Sequence, residues 1–482
     1  MDAQADIRAA LQALLLRAGR AEDWLAQQRW YADKGRAITS SEVMALRLEP
    51  ASEGTLALVV VQFRFADGGF SRYFLPLHLT EKAGSPAALL GHLGDVAVLD
   101  ATAQPWFGDW LLRAFQEQDA GWAADLGPGG AEYLGRAAAY QAQVLRGEQS
   151  NTSLRFGDAI IVKLFRRLQP RINPDEEALR VLSAQGFAHA PAFVGSLAWL
   201  SPEGVPVPLA LATSFVPHQR DGWSWLLARL EHATPGSKID VGPERLLGQR
   251  TAEMHLALAA SGDEAFTPME ATLADVAQSQ ARTRAAIHLA EDIIRDRADT
   301  LPSAVQRVLP AIFAALQRTE ADLAGYDAEL GLPRIRPHGD FHLGQTLWTG
   351  DDWVILDFEG EPARPVEERR QRTSVLKDVA GMLRSFAYAR GAASLAGPET
   401  GRTVAESWLL EWEAAARAAF LSAYRETIAD ADAGLIPESD DDFARALRAW
   451  ELDKALYEIA YEARNRPGWL AIPLAALTPT GA

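Results

Sequence analysis

The chain has 482 residues, 47 Lys+Arg against 64 Asp+Glu for a formal charge of −17, and no cysteine. Without cysteine there is no disulfide framework, thiolate zinc site or cysteine nucleophile, and the acidic excess opposes general binding to nucleic acid or an anionic membrane, which rely on clustered Lys and Arg. At this length two or three lobes are expected rather than one core, and any anionic substrate must be met by a local basic site.

The acidic first residues 1–6, and the apolar stretch 11–16 interrupted by Gln12 and followed by Arg17 and Arg20, do not make a signal peptide. The longest apolar run, 56–61, is far shorter than the roughly 18–20 residues of a membrane-spanning helix. A soluble, cytoplasmic protein is therefore expected. Leu11, Leu14, Leu15 and Ala18 at helical spacing predict an amphipathic helix over 7–28. The period then changes to two. Strands are expected at 43–48, 56–65, 69–79 and 95–99, with turn signals at Glu53-Gly54, Asp67-Gly68-Gly69 and Gly91, as in an antiparallel meander. Helix returns at 106–115, and the turn-rich stretch 126–130 follows. Strands 153–156 and 159–165 are joined by Gly157-Asp158, a hairpin signal. Asn173 as N-cap, Pro174 at the first position and carboxylates in the first turn open a helix that runs to Ala184. Residues 208–216 read as a strand. Beyond Gly242 the pattern is helical to Asn465, interrupted by a strand-rich island at 334–361, and no internal repeat is present.

That island carries the chemistry. It holds His338-Gly339-Asp340-Phe341-His342-Leu343-Gly344-Gln345 and then Ile355-Leu356-Asp357-Phe358-Glu359-Gly360-Glu361-Pro362. Phosphoryl transfer to a hydroxyl needs a carboxylate to orient and deprotonate the alcohol, and oxygen ligands that hold Mg²⁺ against the nucleotide phosphates. Asp340 is the candidate base; Gln345 and Asp357 are the candidate metal ligands. His338 and His342 lie in a Gly-containing loop with no third ligand spaced for zinc, so both are expected to hold the loop by hydrogen bonds. Near the C-terminus, Trp450, Lys454, Tyr457 and Tyr461 fall at i, i+4, i+7 and i+11 of one helix face. Such a face suits either a packed core or a sugar site, where aromatic rings cover apolar sugar faces and charged groups meet hydroxyls.

The two island segments together resemble the catalytic and metal-binding segments of the aminoglycoside phosphotransferase-like kinases, and the Glu359-Gly360-Glu361-Pro362 extension resembles that of maltokinases. The helix 450–469 is similar to the closing helix of maltokinases. Residues 28–36, Gln-Arg-Trp-Tyr-Ala-Asp-Lys-Gly-Arg, resemble their N-terminal cap signature, except that Ala32-Asp33 stands where that family usually has Gly-Gly or Gly-Ser. The likeness runs over about 28–473.

It implies an α+β, bilobal protein-kinase-like fold with an N-terminal cap of a helix and a β-meander (1–103), an intermediate subdomain equivalent to the kinase N-lobe (104–217) and a mostly helical C-lobe (218–482). A phosphate-covering loop would include Gln149, Ser150, Asn151, Thr152 and Ser153. Lys163 would clamp phosphates, with Glu176 or Glu177 as its partner, and Arg166, Arg167 and Arg171 would steer them. Ser214, Phe215 and Val216 would meet adenine, and the nucleotide would lie between the lobes. His342 and Glu359 join Trp450, Lys454, Tyr457 and Tyr461 as expected acceptor contacts. The implied activity is ATP- and Mg²⁺-dependent phosphorylation of the anomeric hydroxyl of maltose, in α-glucan building from trehalose. Association with a trehalose synthase, as monomer or dimer, goes with it. Two alternatives stay open: a glucosamine, other sugar or aminoglycoside kinase of the same fold, and a non-catalytic pseudokinase-like partner of a trehalose-converting enzyme. The second would be marked by loss of Lys163, Asp340 or Asp357, and all three are present.

Overall fold

The structure is a computed structural model that describes residues 3–16, 20–82, 84–117, 122–145, 151–169, 173–233, 239–301, 303–361, 364–400 and 405–477. It divides into two units, the first formed by Met1–Ser183 and Pro191–Pro217, the second by Ala184–Ala190 and His218–Ala482. No helix among the described residues is long and apolar enough to cross a membrane.

The first unit opens with two helices, α1 (Ala3–Leu16) and α2 (Arg20–Gln27), where one was expected. Strands β1 (Ile38–Ala51), β2 (Gly54–Phe65) and β3 (Phe70–Thr80) pair in sequence, but β5 (Val96–Asp100) then pairs with β3, and β4 (Leu89–Leu93) lies outside it. The four strands expected thus pair antiparallel in their order, and the strand not foreseen, β4, adds at the edge. Gly91, expected to mark a turn, lies inside β4 at a register shift, and a Cβ there would come 2.7 Å from the Leu14 side chain, so the residue lets α1 approach the sheet. β2 is buried almost throughout, which explains its continuous apolar run. One face joins Leu11, Leu14, Trp24, Val59 and Val61 in a core. Asp33, where the family signature departs, is 4% exposed and accepts from Tyr73 Oη at 2.6 Å and Arg36 Nη1 at 2.7 Å. Burial pushes its carboxyl up, but those hydrogen bonds outweigh it and hold the pKa below the usual value.

After α3 (Phe107–Ala114), a second sheet has the order β6 (Trp122–Leu126), β11 (Phe193–Leu200), β12 (Pro206–Ser214), β9 (Ile160–Phe165), β8 (Asn151–Phe156) and β7 (Ala142–Val144). Helix α4 (Gly130–Ala137) precedes β7, and α5 (Pro174–Ala184) precedes β11. The β8–β9 hairpin and the start of α5 form as the sequence suggests; Asn173 Oδ1 accepts the Asp175 N–H at 2.7 Å. Between them, β10 (Arg167–Leu168) pairs with β3 and joins the chain after β9 to the first sheet.

Arg166, in the basic cluster behind β9, has a structural task rather than phosphate steering. Arg166 is 1% exposed; its guanidinium donates to Asp100 at 2.8 Å, Thr152 at 2.8 Å and Thr102 at 3.0 Å, and lies over the Trp30 ring. Arg167 donates to Ser71 Oγ at 3.2 Å and lies 3.8 Å from Asp33. Arg171 falls outside the described residues. Both described arginines are therefore committed to protein partners.

In the second unit, β13 (Arg220–Asp221) pairs with β16 (Thr346–Trp348), which pairs with β17 (Trp353–Ile355), while β14 (Met269–Glu270) pairs with β15 (Pro333–Arg334). Helices α6 (Gly222–Glu231), α7 (Gly242–Ala259), α8 (Leu273–Arg297), α9 (Ser303–Gln306) and α10 (Leu309–Arg318) come before the island. The short α11 (Val366–Arg369) and the long α12 (Leu376–Thr400), α13 (Glu406–Asp430) and α14 (Asp440–Asn465) follow, then α15 (Ala471–Ala475). α14 starts at a Ser439 cap with Asp440, Asp441 and Asp442 in its first turn, where the helix dipole favours anions. α12 packs against α13 and α14, and α7 against α13, so the island rests on a helical base.

Replacing Asp100 by Ala leaves a fully buried guanidinium without its carboxylate. The expected loss of stability is about 3–5 kcal/mol, read by chemical denaturation.

Candidate active site

The loop that carries Asp340 is hung from one carboxylate. Asp378, 1% exposed on α12, accepts the backbone N–H of His338 at 2.7 Å and of Gly339 at 2.8 Å, and lies 3.1 Å from His255 Nε2 on α7. The other His255 nitrogen meets Tyr424 Oη of α13 at 2.9 Å. Gly339 has φ +88°, a left-handed conformation that turns the chain so that consecutive N–H groups face one acceptor. His338 is 1% exposed, its Nε2 lies 2.8 Å from the Leu356 carbonyl, and its ring sits against Phe341 and Phe358. It holds the loop, as expected.

Asp340 follows and faces a cavity of about 360 Å³. Lys454 Nζ of α14 lies 3.1 Å from its Oδ1 and 3.8 Å from Glu361 Oε1. Burial raises the Asp340 pKa, but Lys454 and, less strongly, His342 more than offset it, so the carboxyl stays below its usual value. Burial alone would push Lys454 down; Asp340, Glu361 and Glu458 reverse that and carry it well above the usual lysine range. His342 Nδ1 accepts the Gly344 N–H at 3.0 Å, which assigns the proton of the neutral ring to Nε2, 4.0 Å from Asp340. Burial, the largest influence, lowers its pKa.

Gln345 Nε2 donates to Asp357 Oδ2 at 3.0 Å, so the two expected metal ligands are adjacent. Asp357 has φ +62°, an unusual backbone for a non-glycine residue and of the kind that gathers at functional sites. One carboxylate and one amide oxygen suit a hard cation such as Mg²⁺, which keeps much of its coordination for water and substrate phosphates.

In the first unit, Lys163 stands on β9 between Ser153 and Leu211. Asp175 Oδ2, one position ahead of the glutamates expected, lies 3.4 Å from its Nζ. Glu176 bonds Arg180; Glu177 occupies the same first turn, half-buried. Gln149 and Ser150 of the expected phosphate loop lie outside the described residues. Asn151, Thr152 and Ser153 belong to β8, Thr152 and Ser153 are buried, and the Thr152 hydroxyl is taken by Arg166. Ser214 and Phe215 donate their backbone N–H groups to the Ala192 and Ala159 carbonyls, so neither amide is available to a purine, and Val216 follows the end of β12.

Tyr457 and Tyr461, 41% and 44% exposed, line the cavity with parallel-leaning rings 6.4 Å apart. Trp450 also lines it, yet is 2% exposed: Tyr326 meets its ring edge-on at 5.2 Å and its Nε1 donates to Glu329 at 3.0 Å. Its ring is thus mostly core. Glu359 is not among the lining residues, whereas Glu361 is; Arg369 Nη1 donates to the Glu359 carbonyl at 3.0 Å. Asp378 and Asp453 escaped the sequence reading, and Glu361 was noted there without a place on the cavity wall. An Asp inside the apolar run Val375-Leu376-Lys377-Asp378-Val379 was the available signal, because a charge there needs a partner.

The maltokinase N-terminal cap domain matches residues 24–103, and the phosphotransferase enzyme family matches 141–360. Glucosamine kinase of Streptacidiphilus jiangxiensis is 32% identical over 338 residues, covering 69% of this chain and 71% of that protein. Glucosamine kinase of Mycolicibacterium smegmatis is 30% identical over 347 residues, covering 70% and 80%. The chain belongs to this family of capped sugar kinases. A solved structure of a family member, glucosamine kinase in complex with glucosamine, ADP and inorganic phosphate, aligns with a TM-score of 0.71 and 26% identity over 97% of this chain and 98% of the other. The protein is thus a kinase-fold phosphotransferase acting on a sugar hydroxyl, which removes the pseudokinase alternative.

Two measurements check the site. Asp378→Asn places an NH₂ where one of the two loop N–H groups needs an acceptor; stability is expected to fall by about 1–3 kcal/mol and turnover with it, read by denaturation and initial rates. Lys454→Met removes the main influence holding the Asp340 pKa down. A depressed carboxylate stays ionised until pH falls through its folded pKa, so raising that pKa moves the acid limb of the kcat/KM profile to higher pH.

Proposed function

We propose that the protein is an ATP-dependent kinase of the anomeric hydroxyl of a neutral glucosyl sugar, with maltose the first choice. Asp340 accepts the hydroxyl proton, Lys454 keeps that carboxylate ionised, and Tyr457 and Tyr461 offer aromatic faces to the sugar. Lys163 holds nucleotide phosphates. Gln345 and Asp357 hold Mg²⁺, which when bound neutralises charge on the transferring phosphoryl group. Little covalent work falls to the chain: its residues position the alcohol and keep a base ready.

The choice of a neutral acceptor is supported by one observation. The carboxylates that line the cavity already face cations: Asp340 has Lys454 at 3.1 Å, Glu361 has Arg364, Lys377 at 3.8 Å and Lys454 at 3.8 Å, and Asp453 has Arg282 at 3.4 Å. An ammonium group would have to displace one of them. The second reading, glucosamine, is favoured by the names of the relatives. The cap does not separate the two, since the glucosamine kinase structure aligns over 97% of the chain. On the maltose reading, the enzyme that converts trehalose to maltose is the natural partner.

Asp340→Asn is expected to lower kcat by about 10²–10⁴ while ATP affinity stays near that of the parent; parent-like turnover contradicts the base assignment. ADP release is then followed with maltose, glucose, glucosamine, trehalose and aminoglycosides at fixed ATP and Mg²⁺. Maltose is expected to give the highest kcat/KM, and activity confined to glucosamine reverses the choice.

A further inference from the structure

A second cavity of about 320 Å³ adjoins the acceptor cavity within the same unit, and the two share Arg282, Gly339, Glu361, Arg364 and Lys377 as walls. Arg334, Arg369 and Arg372 complete its basic lining, so six cations stand against the carboxylates of Asp275, Glu361 and Glu368.

Three of the arginines carry a buried N–H with no acceptor: Arg282 Nη2, Arg334 Nε and Arg369 Nε. Their other groups are engaged. Arg334 Nη1 lies 2.9 Å from Asp275, Arg369 Nη1 donates to the Glu359 carbonyl at 3.0 Å, and Arg282 Nε meets Asp453 at 3.4 Å. The Arg369 side chain is only 8% exposed, so bulk water does not readily stand in. A buried donor left without an acceptor is costly, more so on a charged group, and three on one cavity wall ask for a ligand with several acceptor oxygens. A neutral polyol could accept the bonds. It would not offset the excess of cations over carboxylates on the cavity wall. Guanidinium groups match the planar edge and charge of phosphate or carboxylate oxyanions.

We propose that this cavity is an anion subsite that takes a phosphomonoester, either a sugar phosphate or free phosphate, next to the acceptor cavity. The inference goes beyond the choice of acceptor and does not rest on it. An occupant would press on walls shared with the acceptor cavity, so the bound anion acts as an inhibitor that raises the acceptor KM.

The test uses the full-length protein saturated with a non-hydrolysable ATP analogue and Mg²⁺, which fills all three of the nucleotide's own phosphate positions. Inorganic phosphate and glucose 1-phosphate are titrated in by calorimetry. One saturable site is expected, weakened at least ten-fold in Arg334→Gln and in Arg369→Gln; tighter binding of glucose 1-phosphate identifies a sugar phosphate as the ligand, and equal binding identifies free phosphate. Affinity for the analogue, measured first, reports that each variant is folded. Arg334→Lys and Arg369→Lys, which keep the charge and lose the Nε donor, serve where a Gln variant is not folded and must also weaken the anion. No saturable binding to the parent protein, or binding unchanged in the folded variants, overturns the proposal.

Discussion

The site depends on the carboxylate of Asp378. A loop that presents a carboxylate to a cavity must hold its backbone still, and this one does so by giving two successive N–H groups to a single buried anion. Such charge-assisted bonds are short and strong, but only if the anion is itself secured. His255 and Tyr424 secure it, so α7, α12 and α13 all contribute to the position of Asp340. Burial would otherwise raise the Asp378 pKa; the His255 contact and the loop N–H groups outweigh it and keep the carboxyl below its usual value. The helical base of the unit thus sets where Asp340 stands.

At Asp340 the balance is finer. A carboxylate facing a half-buried cavity is pushed towards protonation by the loss of water, and a tightly paired cation can pull it so low that it no longer accepts a proton well. Sharing Lys454 between Asp340 and Glu361 moderates both tendencies. The ammonium secures ionisation without belonging to Asp340 alone. Glu361 is in turn shared with Arg364 and Lys377, so the charge of the acceptor wall is set by a network rather than by one pair.

Much of this was legible in the sequence where chemistry and local pattern coincide. The hairpin at Gly157-Asp158, the Asn173 cap, the Asp340 loop and the Gln345–Asp357 pair each rest on residues close in sequence, and local geometry brought them together. The rest depends on partners far along the chain. Asp378 acquires meaning only from His338 and His255. Arg166 looked like a phosphate ligand because it follows Lys163, yet it stands at the bend between β9 and β10 with its side chain in the interior, where Asp100 awaits it. Trp450 shared a helix face with Lys454, but a helix face has depth, and the tryptophan lies at its buried edge.

The buried arginine also bears on what the cap can do. Its guanidinium ties the strand after Lys163 to Asp100 and Thr102 at the end of β5, and its carbonyl accepts the Phe74 N–H at 2.8 Å from β3. The next two residues pair with Tyr73 and Arg72 of that strand. For the cap to swing as a hinged flap, these backbone bonds would have to break and a guanidinium with its carboxylate would have to separate in a dry interior, where each ion left alone is strongly penalised. The cap sheet and the Lys163 strand therefore move as one piece, and the position of that lysine is fixed in part by residues at the very beginning of the fold.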